Sequence, residues 1–167
     1  LPVSVVIVQH MPPGFTGALA ERLDFISPFT VREARDDQPL SAGDIWIAPG
    51  NRHMVVHRSA SGVCVQCYEG PPENSCRPAA DVLFRSVLRE YKAGTLAVVL
   101  TGMGNDGLAS SREIVDSGGR ILVQDEASSA VWGMPGQIAR AGLADAVLPL
   151  DRIGAELSLR LTRRRLS

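Results

Sequence analysis

A histidine and an aspartate each follow an apolar run in this chain, and together they could do acid–base chemistry. His10 comes after the apolar stretch 3–8 and precedes a Pro-Pro-Gly turn. Asp106 belongs to residues 100–107 (Leu-Thr-Gly-Met-Gly-Asn-Asp-Gly), which follow a second apolar run at 96–99. Functional side chains of an open α/β sheet collect outside the carboxyl ends of its strands. A buried acid beside an imidazole would fix its tautomer and stabilise the imidazolium, as in a hydrolytic triad.

The glycine-rich stretch would add backbone amides to such a site. If the amides of Met103 and Gly104 point at one position, they could stabilise an oxyanion. His53 follows a Pro-Gly turn and is an alternative base that the sequence does not exclude. His57 lies on an alternating strand and is expected at the surface.

The same stretch has two other interpretations. Gly102-x-Gly104-x-x-Gly107 matches a dinucleotide-binding fingerprint between a strand and a helix, and Asp125 stands where an acid would bind the ribose. Asp106 at the helix N-terminus would repel a pyrophosphate, which makes this the weaker alternative. In the other interpretation, the glycines only form a tight turn and Asp106 caps the helix.

Strands and helices alternate along the chain and would position these residues. This order predicts an α/β fold with a doubly wound, mostly parallel sheet and helices on both faces. Residues 45–47 and 54–56 flank a Pro-Gly-Asn turn and are predicted to pair as a β-hairpin, within an antiparallel excursion over 30–68. The predicted strands are 3–9, 30–34, 45–47, 54–56, 63–68, 96–100, 121–124 and 146–150, and the predicted helices are 16–25, 78–91, 108–117, 137–141 and 153–161.

Length and composition predict one domain spanning residues 1–167. A net charge of −1 and a hydrophobic share of 45% are typical of a soluble globular protein. This charge produces no strong positive electrostatic field that would attract nucleic acid. No apolar stretch approaches the roughly 20 residues that span a bilayer, and a secretory signal is missing, so a cytoplasmic location without membrane insertion is expected. The basic run 163–165 is interpreted as a solvated helix end.

The three cysteines favour a reducing compartment over a disulfide framework. Cys64 and Cys67 are expected to point to opposite faces of a strand, as structural residues. A zinc site built from them with Cys76, His53 and His57 is the less favoured alternative.

Five blocks of the sequence, in the same order, resemble the CheB-type protein-glutamate methylesterases of bacterial chemotaxis. The blocks are 6–16 (Val-Ile-Val-Gln-His-Met-Pro-Pro-Gly-Phe-Thr), 47–53, 77–86, 100–107, and 133–135 with 141–142, so the resemblance covers essentially the whole chain. It implies that His10 is the catalytic histidine and Asp106 the triad aspartate. It also implies that the backbone amide of Met103 stabilises the oxyanion.

The resemblance further implies hydrolysis of glutamate γ-methyl esters on chemoreceptor helices to glutamate and methanol. Deamidation of receptor glutamines is implied as a second activity of some members. No cofactor or metal is expected. A receiver domain fused upstream and its kinase would control access to the site, so the implied partners are methylated receptor helices, this receiver domain and the kinase.

One part of the family pattern is missing from these residues. The family's nucleophilic serine lies in a Gly-Ala-Ser-Thr-Gly-Gly-type turn upstream of the histidine segment, and nothing before His10 resembles it. Ser4 lies at the wrong end of a strand, and Ser75 does not follow a strand-to-helix elbow. Because the chain begins with Leu1 instead of Met, we expect that an upstream segment bears the serine and that this chain alone is inactive. The alternative is a serine-less, non-catalytic module that binds receptor helices.

Overall fold

The computed structural model, which describes residues 2–60 and 62–163, contains two units, Leu1–Glu90 and Tyr91–Ser167. The helices are α1 (Phe15–Ile26), α2 (Ala80–Tyr91), α3 (Leu108–Asp116), α4 (Met134–Arg140) and α5 (Leu150–Arg163). The strands are β1 (Val5–Ile7), β2 (Thr30–Glu33), β3 (Gln38–Pro39), β4 (Asp44–Ile47), β5 (His53–Ser59), β6 (Gly62–Tyr68), β7 (Leu96–Val99), β8 (Arg120–Gln124) and β9 (Ala146–Leu148).

A parallel sheet with the order β1-β4-β2 forms the centre of the first unit. Side chains alternate along its middle strand, as the pleat requires. Ile47 faces α1 and packs in a cluster with Ala20 and Val31. Trp46 faces the opposite way and joins a second cluster, to which α2 contributes Leu83. Helix α1 therefore covers one face of this sheet, and residues of β5, β6 and α2 pack against the other.

The antiparallel part of the first unit has the order β3-β6-β5. Its hairpin joins β5 to β6, with His53 opposite Tyr68 and Ser59 opposite Gly62. The predicted hairpin between 45–47 and 54–56 is therefore wrong, because β4 is held between two parallel neighbours. The predicted antiparallel segment 30–68 also includes too many residues, because β2 and β4 belong to the parallel sheet.

The second unit is built on a parallel sheet with the order β7-β8-β9. The middle strand supplies Ile121, Leu122 and Val123, none of which exposes any surface. Helices α3, α4 and α5 all contact this strand. A strand of continuous apolar residues is typical of a parallel sheet that is covered on both faces.

The predicted α/β class with mostly parallel strands is confirmed, and most element boundaries shift by only a few residues. The last helix begins at Leu150, so the preceding strand is shorter than predicted. A single domain over 1–167 stays a prediction. None of the helices in the described ranges has the length and apolarity that a membrane crossing requires. Leu1 and most of the basic run 163–165 lie outside the described residues.

Candidate active site

His10 lies just beyond the carboxyl end of β1 and is exposed to solvent. The loop that follows it turns tightly into α1. The amide of Met11 donates to the Gln9 carbonyl over 2.9 Å, and the amide of Phe15 donates to the Pro12 carbonyl over 3.2 Å. The helix is entered through Gly14, whose φ of 85° favours glycine. The histidine is thus presented to solvent from a short, internally bonded loop.

A buried contact holds this loop against the end of β4. A Cβ at Gly50 would lie 2.5 Å from the carbonyl carbon of Pro12, so only glycine fits there. The Gly50 amide donates to Thr16 Oγ1 over 2.9 Å, and this hydroxyl donates to Glu33 Oε1 over 2.6 Å. Because Thr16 is fully buried, the two hydrogen bonds tie α1, β2 and the end of β4 together next to the loop that follows His10. Sequence reasoning missed this cluster.

The exposed face of the loop forms one wall of a cleft of about 350 Å³ in the first unit. The opposite wall comes from residues 75–78, which precede α2. Arg77 fixes that wall: its Nε and Nη2 donate to Asn51 Oδ1 over 3.0 and 2.6 Å, and its Nη1 donates to the Gly70 carbonyl over 2.6 Å. The cleft residues are His10, Met11, Pro12, Pro13, Asn51, Ser75, Cys76, Arg77 and Pro78.

Cys76 lies close to His10, whereas the other two cysteines are elsewhere. The Cys76 Sγ and a ring nitrogen of His10 lie within 4.8 Å of each other. Cys64 and Cys67 are buried on β6, three residues apart, as expected for structural residues. Within the first unit, His10 and Cys76 supply two ligand atoms, fewer than the four that structural zinc takes. The four-ligand zinc alternative is therefore not supported by the placement of these thiols.

The other two histidines are not among the residues that line this cleft. His53 exposes 1% of its surface, and its Nε2 lies 3.0 Å from the Pro71 carbonyl oxygen. This burial is typical of a structural histidine and weighs against His53 as the alternative base. His57 lies near the surface, as expected: 34% of its side chain is exposed, and its Nε2 lies 3.9 Å from Oδ1 of the exposed Asp37.

Met103, Gly104 and Asp106 lie in the second unit, on the loop that follows β7. Met103 is 82% exposed, while Asp106 is 2% exposed. Helix α3 begins with Gly107 as its N-cap, at φ 88°. The N-cap residue of α3 is therefore Gly107 and not Asp106. A buried carboxylate at the carboxyl end of a strand has the placement that an orienting acid needs.

A second loop, 131–134, holds the Met103 loop in place. The Gly102 amide donates to the Val131 carbonyl over 3.0 Å, and the Met134 amide donates back to the Gly102 carbonyl over 2.8 Å. A Cβ at Gly133 would lie 2.6 Å from the Gly102 oxygen and 3.0 Å from the Gly104 nitrogen. The two loops approach so closely that a glycine is required at 133.

Gln124 at the end of β8 also holds the loop that bears Met103. Its Oε1 accepts from the Thr101 amide over 2.8 Å, and its Nε2 donates to the Ser128 carbonyl over 2.8 Å. The Gln124 side chain is buried, so its amide group needs these two hydrogen bonds. This residue was also missed from sequence, where it is indistinguishable from the last residue of any strand.

The dinucleotide interpretation finds little support in this geometry. Asp125 was its ribose-binding acid, but Asp125 Oδ1 accepts from the Ser128 amide and hydroxyl over 3.0 and 2.6 Å. Gly104 is a turn residue with φ 90°, and Gly102 is packed against the Met134 side chain. These glycines and this acid all have structural roles within the loops.

His10 belongs to the first unit, and Met103, Gly104 and Asp106 belong to the second. Each lies at the carboxyl end of a strand, as the sequence predicts. Their assembly into one catalytic site stays a prediction, as do the individual roles of the four residues.

Comparison with known proteins is consistent with both the fold and the sequence blocks. The family model described as CheB methylesterase matches residues 1–157. A protein-glutamate methylesterase/protein-glutamine glutaminase of Trichodesmium erythraeum is 54% identical over 159 residues, which are 95% of this chain and 45% of that protein. A protein of the same name from a Nocardioides species is 52% identical over 165 residues, 99% of this chain and 45% of the relative.

A solved structure is similar as well. The crystal structure of the Thermotoga maritima CheB methylesterase catalytic domain has a TM-score of 0.88 and 39% sequence identity, and the match covers 91% of this chain and 80% of that one. The chain thus spans about 45% of the length of the two curated relatives.

Proposed function

Because the chain belongs to the CheB methylesterase family, we propose that it supplies the histidine, the aspartate and the oxyanion-binding amides of a protein-glutamate methylesterase. The substrates are glutamate γ-methyl esters on chemoreceptor helices, and receptor glutamines are a second substrate class. The placement of His10 carries this proposal: an exposed imidazole at the carboxyl end of β1, on a clamped loop that lines a cleft.

In the proposed reaction, His10 accepts the proton of a serine hydroxyl as that oxygen attacks the ester carbonyl. Asp106 orients the imidazole and stabilises its protonated form. The amides of Met103 and Gly104 stabilise the negative charge that develops on the carbonyl oxygen. His10 then gives its proton to the departing methanol, and water hydrolyses the acyl-enzyme to glutamate. Attack on a glutamine amide would release ammonia by the same steps. No cofactor or metal takes part.

The nucleophilic serine belongs to this proposal but is assigned to none of the 167 residues. Relatives that share these residues are more than twice as long, which leaves room for a serine-bearing strand and turn. Ser75 lines the cleft with His10, but it lies on a turn before α2 and not at a strand-to-helix elbow. We therefore expect the 167-residue chain to be inactive without a partner segment.

Three partners and a location accompany the proposal. They are the methylated cytoplasmic helices of a chemoreceptor, a receiver domain upstream of the catalytic part, and the kinase that phosphorylates it. Such an enzyme works in the cytoplasm, where the signalling ends of the receptors lie.

A chimera tests the proposal. The segment of the Trichodesmium erythraeum relative that precedes the shared region is joined to residues 1–167, and methanol release from methylated receptor is measured. The chimera is expected to release methanol, and the 167-residue chain alone is expected to release none. A folded chimera that binds receptor helices without turnover would contradict the proposal and favour the non-catalytic module.

A further inference from the structure

We propose that Cys76 is a modification site, at which its thiol, assisted by His10, forms a mixed disulfide with a low-molecular-weight disulfide and so obstructs the cleft. The thiol chemistry is independent of the proposed function. Its consequence for turnover rests on that function, since it assumes that substrate reaches His10 through this cleft.

The geometry provides a base and a route of access for this thiol. Cys76 Sγ and a His10 ring nitrogen lie within 4.8 Å of each other, a separation that one water or a small side-chain rotation spans for proton transfer. Both residues line the cleft of about 350 Å³, and Cys76 is half-buried instead of fully enclosed. A small reagent can therefore reach the sulfur from solvent.

A positive charge in the same cleft favours an anionic sulfur. The Arg77 guanidinium donates to the side-chain oxygen of Asn51 and to the carbonyl of Gly70, which are both neutral acceptors. These bonds fix the guanidinium without cancelling its charge. Cationic neighbours and a nearby imidazole are the surroundings in which reactive cysteines are found.

The other two thiols are buried, which shields them from a reagent in solvent. Cys64 and Cys67 each expose 3% of their surface, on the middle strand of the antiparallel sheet. Burial raises the pKa of Cys67 to about 11, with the Asp36 carboxylate adding to the shift. In the folded chain, a disulfide reagent should therefore react with Cys76 and leave Cys64 and Cys67 unmodified.

The proposed step is a thiol–disulfide exchange. The Cys76 thiol donates to the Asn74 carbonyl over 3.4 Å, and in the proposed step it gives this proton to His10 instead. The thiolate then attacks one sulfur of the reagent disulfide. The Cys76 Sγ–sulfur bond forms as the reagent's sulfur–sulfur bond breaks, and the leaving thiolate takes up the proton. Cys76 is oxidised and half of the reagent is reduced, so a dithiol reductant reverses the change. The group added to Cys76 occupies the space beside His10.

The test treats the folded 167-residue chain with oxidised glutathione at neutral pH and follows it by intact mass and peptide mapping. We expect one glutathionyl group, on Cys76, which dithiothreitol removes. Cys76→Ser should take up none, while the neighbouring Ser75→Ala should be modified as the parent is. His10→Gln should slow the reaction about tenfold, because the thiolate fraction falls while the intrinsic reactivity of the sulfur rises.

Modification of Cys64 or Cys67 in the folded chain would overturn the inference. So would a Cys76 rate equal to that of the urea-unfolded chain, or a His10→Gln rate equal to that of the parent.

The chimera separates this inference from the proposed function. Glutathionylation should abolish its methanol release until dithiothreitol is added, whereas the Cys76→Ser chimera should keep its own untreated rate. Full activity of the modified chimera would refute the obstruction of the cleft. A chimera that is inactive even when reduced would refute the proposed function and leave the thiol chemistry intact.

Discussion

Replacing Gly50 by alanine perturbs the support of His10 without touching the imidazole. The added Cβ would lie 2.5 Å from both the Pro12 carbonyl carbon and the Pro13 nitrogen, and 2.7 Å from the Pro12 oxygen. All three are backbone atoms, so no side-chain rotation relieves the contact. Either the loop that follows His10 moves, or Gly50 retreats and strains its hydrogen bond to Thr16.

The size of the effect follows from these distances. Non-bonded carbon atoms pack at about 3.5–4.0 Å, so the two backbones would separate by roughly 1 Å. Overpacking of this kind costs about 1–3 kcal/mol in the free energy of unfolding. For a chain of this length, the melting temperature should fall by roughly 2–10 °C. A displacement of about 1 Å at a catalytic group can reduce turnover by about 10²-fold.

Two assays and a matched control make the test decisive. The melting temperature is measured on the 167-residue chain, and methanol release is measured on the chimera. Gly154→Ala is the control, because a Cβ at this position in α5 would meet no heavy atom within 4 Å. The control should stabilise the helix by up to about 1 kcal/mol and leave turnover unchanged. A Gly50→Ala protein with parental melting temperature and turnover would refute the argument for the clamp.

Three further substitutions test the structural roles assigned above. His53→Ala should lower the free energy of unfolding by about 2–4 kcal/mol in a urea titration, because it leaves a cavity at a buried site. Turnover per folded molecule should stay unchanged. A loss of turnover as large as that of His10→Ala would show that the wrong histidine was assigned as the base. Gly133→Ala should reduce turnover with little change in KM, because it displaces the Met103 loop; parental kinetics would contradict this role. Asp145 is partly buried, which acts to raise its pKa, but the hydrogen bonds from Arg160 and Arg120 outweigh this and lower it. Its stabilisation is therefore present above the unfolded-state pKa and lost as pH falls through the lowered folded-state value. Asp145→Asn should lower the free energy of unfolding by up to about 1 kcal/mol at neutral pH, measured by urea titration, and should have no effect below the lowered pKa of Asp145. The same loss at every pH would contradict the proposed effect of the ion pairs on this pKa.

The strands were predictable from sequence, but some of their partners were not. The run Ile45-Trp46-Ile47 is apolar on both faces, which fits the middle of a parallel sheet as well as an arm of a hairpin. The nearby Pro-Gly turn favoured the hairpin. The actual neighbours, β1 and β2, are contributed by residues well before the turn, and pairing over such distances leaves no local pattern.

The position of His10 was predictable because a strand end and a rigid turn are both local features. The groups that hold the site in place were not. Thr16 and Gly50 are 34 residues apart, and Gln124 reaches a residue 23 positions earlier. Gly133 is needed only because another loop comes close to it. Such requirements arise from tertiary contacts, so sequence reasoning found the candidate chemistry and missed its supports.

The central claim is that His10 is the base of a methylester hydrolysis. Methanol release from methylated receptor by the His10→Ala chimera, compared with the parent chimera at equal folded concentration, tests it most directly. The account predicts a loss of about 10²- to 10⁴-fold with an unchanged melting profile. Parental methanol release from a folded His10→Ala protein would contradict it.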